Sequence, residues 1–240
     1  MTIAFVDGPV ITGDGRILEH ATVLVENDKI VKVAEGAVSL PPDAKKIPIG
    51  GMTLLPGFID SHAHPVAGGA YATALSLETW GTVESWVQAI ADYAEANPDA
   101  PILFGYGFLA TTFGPVGPTR QLIDGIVPDK PVLIMDEGFH AAWANTAALK
   151  VLNITQDTAD PVPAYSYYKR DENGDATGYL LEGTAGMAME ALDVITADTV
   201  VEGTGIIVDI MNSYGVTAAF DGGIIESDDV EAVKHILDRL

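Results

Sequence analysis

The sequence predicts an α/β chain in which a strand-rich opening, residues 1–55, leads into the first half of a (β/α)8 barrel, residues 56–240. Three observations predict this. The opening residues alternate apolar and polar side chains around a short polar turn, the mark of a half-buried hairpin. After residue 56, short apolar runs alternate with segments of helical spacing, which implies βαβ units and a parallel sheet. Four such strands with their helices make about half of a barrel that typically takes roughly 250 residues.

The elements follow in order. Ala21-Thr22-Val23-Leu24-Val25-Glu26 reads as a strand, Asn27-Asp28 as a turn and Lys29-Ile30-Val31-Lys32-Val33 as the returning strand. Leu40-Pro41-Pro42-Asp43 is a linker, and Gly50-Gly51 and Pro56-Gly57 punctuate the chain before Phe58-Ile59-Asp60-Ser61-His62, expected as a short buried strand. Val83 to Ala96 carries Trp86, Ile90, Tyr93 and Ala94 at helical spacing, with Thr82 as cap and Pro98 as stop. Ile102 to Tyr106 is a second apolar strand, Thr119 to Ile126 a short helix and Pro131 to Asp136 a third strand. Ala141 to Leu152 is helical in composition, and Tyr165 to Leu181 is an extended excursion around Asn173-Gly174-Asp175. Thr184 to Met211 is helical with a break near Thr196; Gly215 to Asp221 is a fourth strand and Asp228 to Leu240 a helix.

Composition narrows the function. Hydrophobic residues make up 48% and charged residues 19%, the balance of a packed globular protein. With 34 acidic and 12 basic residues the formal net charge is −22, a field that repels nucleic acid and anionic lipid. Nucleic-acid and membrane partners are therefore excluded; the acidic surface is either simply solvated, as in adaptation to high salt, or meets a cationic partner. Cysteine is absent, so any metal site must draw on His, Asp, Glu or a modified Lys. Met1 to Asp7 lacks the basic start and apolar run of a signal peptide, and no apolar stretch reaches bilayer length, so a cytoplasmic protein is expected.

The chemistry centres on His62-Ala63-His64. On an extended backbone, side chains two apart point the same way, so both imidazoles reach one ion, at about 2.0–2.1 Å if it is zinc. The pair follows an apolar strand, where barrel enzymes place catalytic groups, and holds two of the chain's five histidines. Two unrelated surface histidines are the alternative. His140, Trp143 and Asn145 follow the strand ending at Asp136. His140 is a candidate catalytic group that polarises a carbonyl or holds an oxyanion, and Trp143 and Asn145 are candidate substrate-binding residues. A helix N-terminus with a capping residue and a core tryptophan explains the same segment. Asp221, at a strand end, is placed like a catalytic residue or like a cap for the Gly222-Gly223 turn. His235 reads as a solvated helix residue and His20 as structural or exposed.

Leu54-Leu55-Pro56-Gly57-Phe58-Ile59-Asp60-Ser61-His62-Ala63-His64 resembles the first-strand signature of the amidohydrolase superfamily. The segments from Asp136 to Leu149 and from Gly178 to Glu182 resemble the amidohydrolase 3 group, which includes N-substituted formamide deformylases. The resemblance runs along essentially the whole chain. It implies that residues 1–55 are part of a small β-sandwich and that the barrel is that of a metal-dependent hydrolase with a one- or two-ion divalent centre, expected to be zinc. It implies His62 and His64 as ligands. No lysine stands where the superfamily often has a carboxylated one, and Glu182 is the implied substitute, unless it is an ordinary surface glutamate. The implied reaction is hydrolysis of a small-molecule amide at its carbon–nitrogen bond by metal-activated water. The family's later histidines and its proton-transfer aspartate have no counterparts here. The chain alone is thus expected to be incompetent, its open barrel covered by a second chain or by a homo-oligomer; a non-catalytic binding or regulatory half-barrel is the alternative.

Overall fold

A computed structural model describes residues 1–223. The expected helix over 228–240, and His235 with it, lie outside the described residues. The described residues divide into two compact units, one of Met1–His62 with Met211–Phe220 and one of Ala63–Ile210 with residues 221–223.

In the first unit, β1 (Thr2–Ile11), β2 (Ile17–Glu26), β3 (Lys29–Glu35) and β4 (Lys45–Pro48) form a sheet of order β3-β2-β1-β4. β2 and β3 pair antiparallel as the predicted hairpin. Asn27 and Asp28 both take positive φ, 47° and 63°, the conformation a two-residue hairpin turn demands and these side chains tolerate. Val10, Ala21, Val23 and Ile49 form its buried cluster. β5 (Phe58–Ala63) and β12 (Val216–Asp221) form a separate two-stranded sheet. β5 lies where the sequence expects it but is not buried: Phe58 is 56% and Ile59 76% exposed. Among the described residues it pairs with one strand only, which leaves its apolar side chains uncovered.

The second unit is built on a six-stranded sheet of order β10-β11-β9-β8-β7-β6. Its strands are β6 (Leu75–Ser76), β7 (Leu103–Phe108), β8 (Val132–Asp136), β9 (Ala141–Ala144), β10 (Tyr167–Arg170) and β11 (Ala176–Leu181). β6, β7 and β8 run parallel, while β9, β11 and β10 pair antiparallel, so the sheet is mixed rather than the parallel sheet expected. The four strands predicted as one barrel wall also fall in two sheets: β5 with β12, and β7 with β8.

The strands of this sheet are apolar on both sides because helices cover both. Leu103, Val132, Ile134 and Trp143 pack with Trp86 and Ile90 of α2 (Val83–Ala96) and Ile123 of α3 (Arg120–Asp124). Their neighbours Phe104, Leu133, Met135 and Ala142 pack with Leu149 of α4 (Thr146–Val151) and Ala185 and Ala188 of α5 (Gly183–Ala191). α2 has the predicted ends: Thr82 accepts from the Ser85 amide, and the Ser85 hydroxyl accepts from the Thr82 amide. Ala141 to Leu152 departs from expectation. Its first four residues are β9, clamped between β8 and β11, and the helix starts only at Thr146. Two further helices, α1 (Pro65–Ala72) and α6 (Ala197–Ser213), meet at Gly69 and Gly203, where a Cβ on Gly203 would collide with the Gly69 carbonyl. No helix among the described residues is long and apolar enough to cross a membrane.

Candidate active site

His62 and His64 close β5. His62 is the penultimate strand residue, exposed, and its amide donates to Asp60 Oδ1 at 3.0 Å. His64 is the N-cap of α1, where Pro65 supplies the fixed φ that starts a helix. Its Nδ1 lies 3.4 Å from the Gly223 carbonyl, and its own carbonyl accepts from the Gly68 amide. The strand end beside it is tied down as well. The Gly222 amide donates to the Ala63 carbonyl at 2.8 Å, and Asp221 Oδ2 accepts from the Val66 amide at 3.2 Å. Asp221 Oδ1 accepts from the Gly223 amide at 3.0 Å. Asp221 therefore caps the Gly222-Gly223 turn, as one of the two readings of its position has it, and adds a hold on the first turn of α1.

His140 and Glu182 come together, although 42 residues separate them. The cause is register. Leu181 of β11 sits opposite Ala141 of β9, which sets the next pair, Glu182 and His140, face to face at the ends of the two strands. His140 Nδ1 lies 3.1 Å from Glu182 Oε2, and the Glu182 amide donates to the His140 carbonyl at 2.6 Å. The carboxylate's hydrogen bond and then its charge hold the imidazole's pKa above the ordinary histidine range. The His140 side chain is 73% exposed, so its other ring nitrogen is available to a ligand. Glu182 itself has φ of 54°, an unfavourable backbone for a non-glycine residue kept where the pair forms.

Asp136, the last residue of β8, builds this corner. Its Oδ1 accepts from the His140 amide at 2.8 Å and the Ala141 amide at 2.9 Å, turning the chain from β8 back into β9. Burial raises the Asp136 pKa and those two amide bonds oppose the rise. The local signal was present: an aspartate followed closely by Gly138 is a turn former. Phe139, the residue after Gly138, has φ of 58° and sets its ring 4.7 Å from that of Tyr71 and 5.7 Å from that of Tyr106. No sequence spacing brings residues 71, 106 and 139 together; only the fold does.

Trp143 and Asn145 are corrected. Both are 0% exposed and offer no surface to a substrate. Trp143 fills the core, its Nε1 donating to the Thr119 carbonyl at 2.9 Å. Asn145 caps α4, its Oδ1 accepting from the Ala148 and Val132 amides, while its Nδ2 donates to the carbonyls of Val127 and Lys130. The cap-and-core alternative explains the segment.

The donors for a metal ion are incomplete. Among the described residues no three or more of His, Cys, Asp and Glu form a group that could hold an ion. Glu182 is engaged with His140, and Asp221 with backbone amides. The two imidazoles of His62 and His64 are the right chemistry for a borderline divalent ion, but a structural or catalytic centre takes at least three protein donors. The described residues thus supply two imidazole donors and leave the rest of an ion's ligand set unfilled. His20 lies exposed on β2 and takes no part in this cluster.

Comparison with known proteins fits the His62-Ala63-His64 signature. The chain is 32% identical over 238 residues to the exoenzymes regulatory protein AepA of Pectobacterium carotovorum subsp. carotovorum, covering 95% of this chain and 50% of that protein. It is 29% identical over 195 residues to the N-substituted formamide deformylase of Arthrobacter pascens, covering 79% of this chain and 36% of the relative. In fold it is similar to an uncharacterized metal-dependent hydrolase of Pyrococcus furiosus, with a TM-score of 0.69 at 20% identity over 100% of this chain and 48% of the other. The chain spans half the length, or less, of each of these relatives. The amidohydrolase family model matches residues 48–238, and the chain belongs to the amidohydrolase family.

Proposed function

We propose that this protein is a metal-dependent hydrolase that cleaves carbon–nitrogen bonds of small amides, N-substituted formamides among them. The observation that carries the reading is His62-Ala63-His64 at the end of β5 in a chain of the amidohydrolase family. In this reading His62 and His64 are donors to a divalent ion, with zinc among the ions that suit paired imidazoles. An ion held there would supply Lewis acidity for an amide carbonyl and for water. His140, oriented by Glu182 at one nitrogen, presents the other to a substrate oxygen. Glu182 thereby acts as an orienting group rather than as the ligand first expected. The remaining donors and the proton-transfer group come from outside the described residues, from the same protein, a second chain or another copy.

The test combines metal analysis with turnover. Purified protein is assayed for bound zinc and for hydrolysis of a panel of amides and N-substituted formamides, alongside His62→Ala/His64→Ala. Bound metal, lost in the double variant, is expected, with amide turnover only where the remaining donors and the proton-transfer group are supplied. Unchanged metal content in the double variant would overturn the assignment of the pair.

A second reading, a non-catalytic regulatory protein, is favoured by one observation: the relative matched over 95% of this chain is called a regulatory protein. It predicts a stably folded protein with no turnover of any amide in the panel, with or without added zinc.

A further inference from the structure

A cleft of about 380 Å³ lies at the end of the β10–β11 hairpin away from Glu182, lined by Pro115, Val116, Thr119, Gln121, Lys169 and Arg170 among others. From Thr177, which also lines it, to Leu181 the strand runs about 13 Å, so this cleft is a different place from the His140–Glu182 pair. We propose that it is a second binding site, for a small monocarboxylate with a short apolar tail.

The charge is the first argument. In a chain with only 12 basic residues against 34 acidic ones, Lys169 and Arg170 are adjacent on the cleft wall. Arg170 is pinned: its NH1 donates to the carbonyls of Thr155 and Gly174 and its NH2 to that of Thr158. Its guanidinium thus contributes positive potential but not a free fork for a bidentate anion. Lys169, half-buried, makes no hydrogen bond or ion pair through its ammonium among the described residues, which leaves it to hold a ligand oxygen. The one acid in the lining, Asp171, spends Oδ1 on the amides of Asn173 and Asp175 in its own turn. Two cations against one carboxylate leave a single net positive charge, which matches a monoanion and not a dianion such as phosphate.

The polar groups are the second argument. Thr119 stands at the N-cap of α3 yet makes no side-chain capping bond, and the Gln121 amide makes none among the described residues. Both line the cleft, and both can bond a carboxylate's second oxygen. Pro115 and Val116, the latter 62% exposed, supply an apolar wall for a short tail. The volume falls within the range of small-molecule sites, about 300–1,000 Å³.

Isothermal titration calorimetry on the purified protein tests the proposal, with butyrate, its neutral analogue butanamide, and inorganic phosphate as probes. Butyrate is expected to bind, with butanamide and phosphate each at least tenfold weaker. Lys169→Gln should weaken butyrate at least tenfold, and Val116→Asp, at an exposed position that tolerates the change, should do the same by repulsion. Binding of butyrate unchanged in both variants, equal binding of butanamide, tighter binding of phosphate, or no butyrate binding would each overturn it. The measurement is independent of amide turnover, so it stands whether or not the protein hydrolyses any amide.

Discussion

The Nδ1 of His140 lies 3.1 Å from Oε2 of Glu182, while the Glu182 amide donates to the His140 carbonyl, so side chain and backbone of the same two residues are joined. The pair is open to solvent on the imidazole side and makes a pH-dependent prediction whose sign is fixed. The folded-state pKa of His140 is raised, first by the hydrogen bond that its ring donates to Glu182 and then by the carboxylate's charge. Its contribution to stability is therefore fully present below the unfolded histidine value of about 6.5, and is lost as pH rises through the higher folded value. Glu182→Gln removes the charge, and the His140 midpoint, followed by NMR of the ring protons, should fall toward the ordinary value. The stability gap between wild type and variant should be present near pH 5.5 and closed near pH 8.5. A midpoint that does not move would mean that solvent screens the pair completely.

Asn145 gives a prediction that separates packing from substrate binding. Its side chain satisfies three buried backbone groups, those of Val132, Ala148 and Val127, and a partly buried one, the Lys130 carbonyl. Asn145→Ala leaves all four without it, and an unsatisfied buried group costs about 1–3 kcal/mol, so a loss of about 3 kcal/mol or more is expected. Chemical denaturation measures it. A variant of unchanged stability that failed only to bind substrate would restore the substrate-binding reading.

The elements that were legible in the sequence are those specified locally. α2 carries its cap, its apolar stripe and its stop within the segment Thr82–Pro98, and the β2–β3 hairpin carries its turn chemistry in Asn27-Asp28. β9 was not legible, because Ala141-Ala142-Trp143-Ala144 has a good helix former at three of four positions. It is a strand because Asp136 turns the chain and because β8 and β11 bond it on both sides, a tertiary effect that outweighs propensity. The separation of β5 and β12 from β7 and β8 is likewise set by pairing between residues far apart, which periodicity cannot report. His62, His64 and His140 each stand out by type and position, whereas Glu182 is singled out only by the resemblance to the amidohydrolase superfamily. That His140 meets Glu182 follows from the Leu181–Ala141 register, which no local pattern fixes.

Two glycines of α6 make opposite predictions. Gly203 packs its backbone on the Gly69 carbonyl of α1, so Gly203→Ala forces the helices apart and should cost about 1–3 kcal/mol. Gly205, in the same helix, has nothing near its absent Cβ. There the ordinary preference for alanine applies, and Gly205→Ala should stabilise by about 0.5–1 kcal/mol. Thermal unfolding of the two variants side by side checks both signs, and equal effects would show that the α1–α6 contact does not constrain the helix.

Asp221 makes the sharpest distinction between holding and catalysing. Its two oxygens accept from the Val66 and Gly223 amides, and so fix the start of α1, the helix that His64 caps. Asp221→Ala removes both bonds and should cost about 1–2 kcal/mol, whereas Asp221→Asn keeps one carbonyl acceptor and should lose roughly half of that. A holding role predicts that amide turnover tracks this order, with the asparagine variant close to wild type. A proton-transfer role predicts the reverse: an asparagine variant as inactive as the alanine one, at nearly wild-type stability, because amide nitrogen cannot take up the proton that a carboxylate can. Turnover and denaturation measured on the same three preparations decide between them, and collapse of activity in Asp221→Asn without loss of stability would return Asp221 to the catalytic residues.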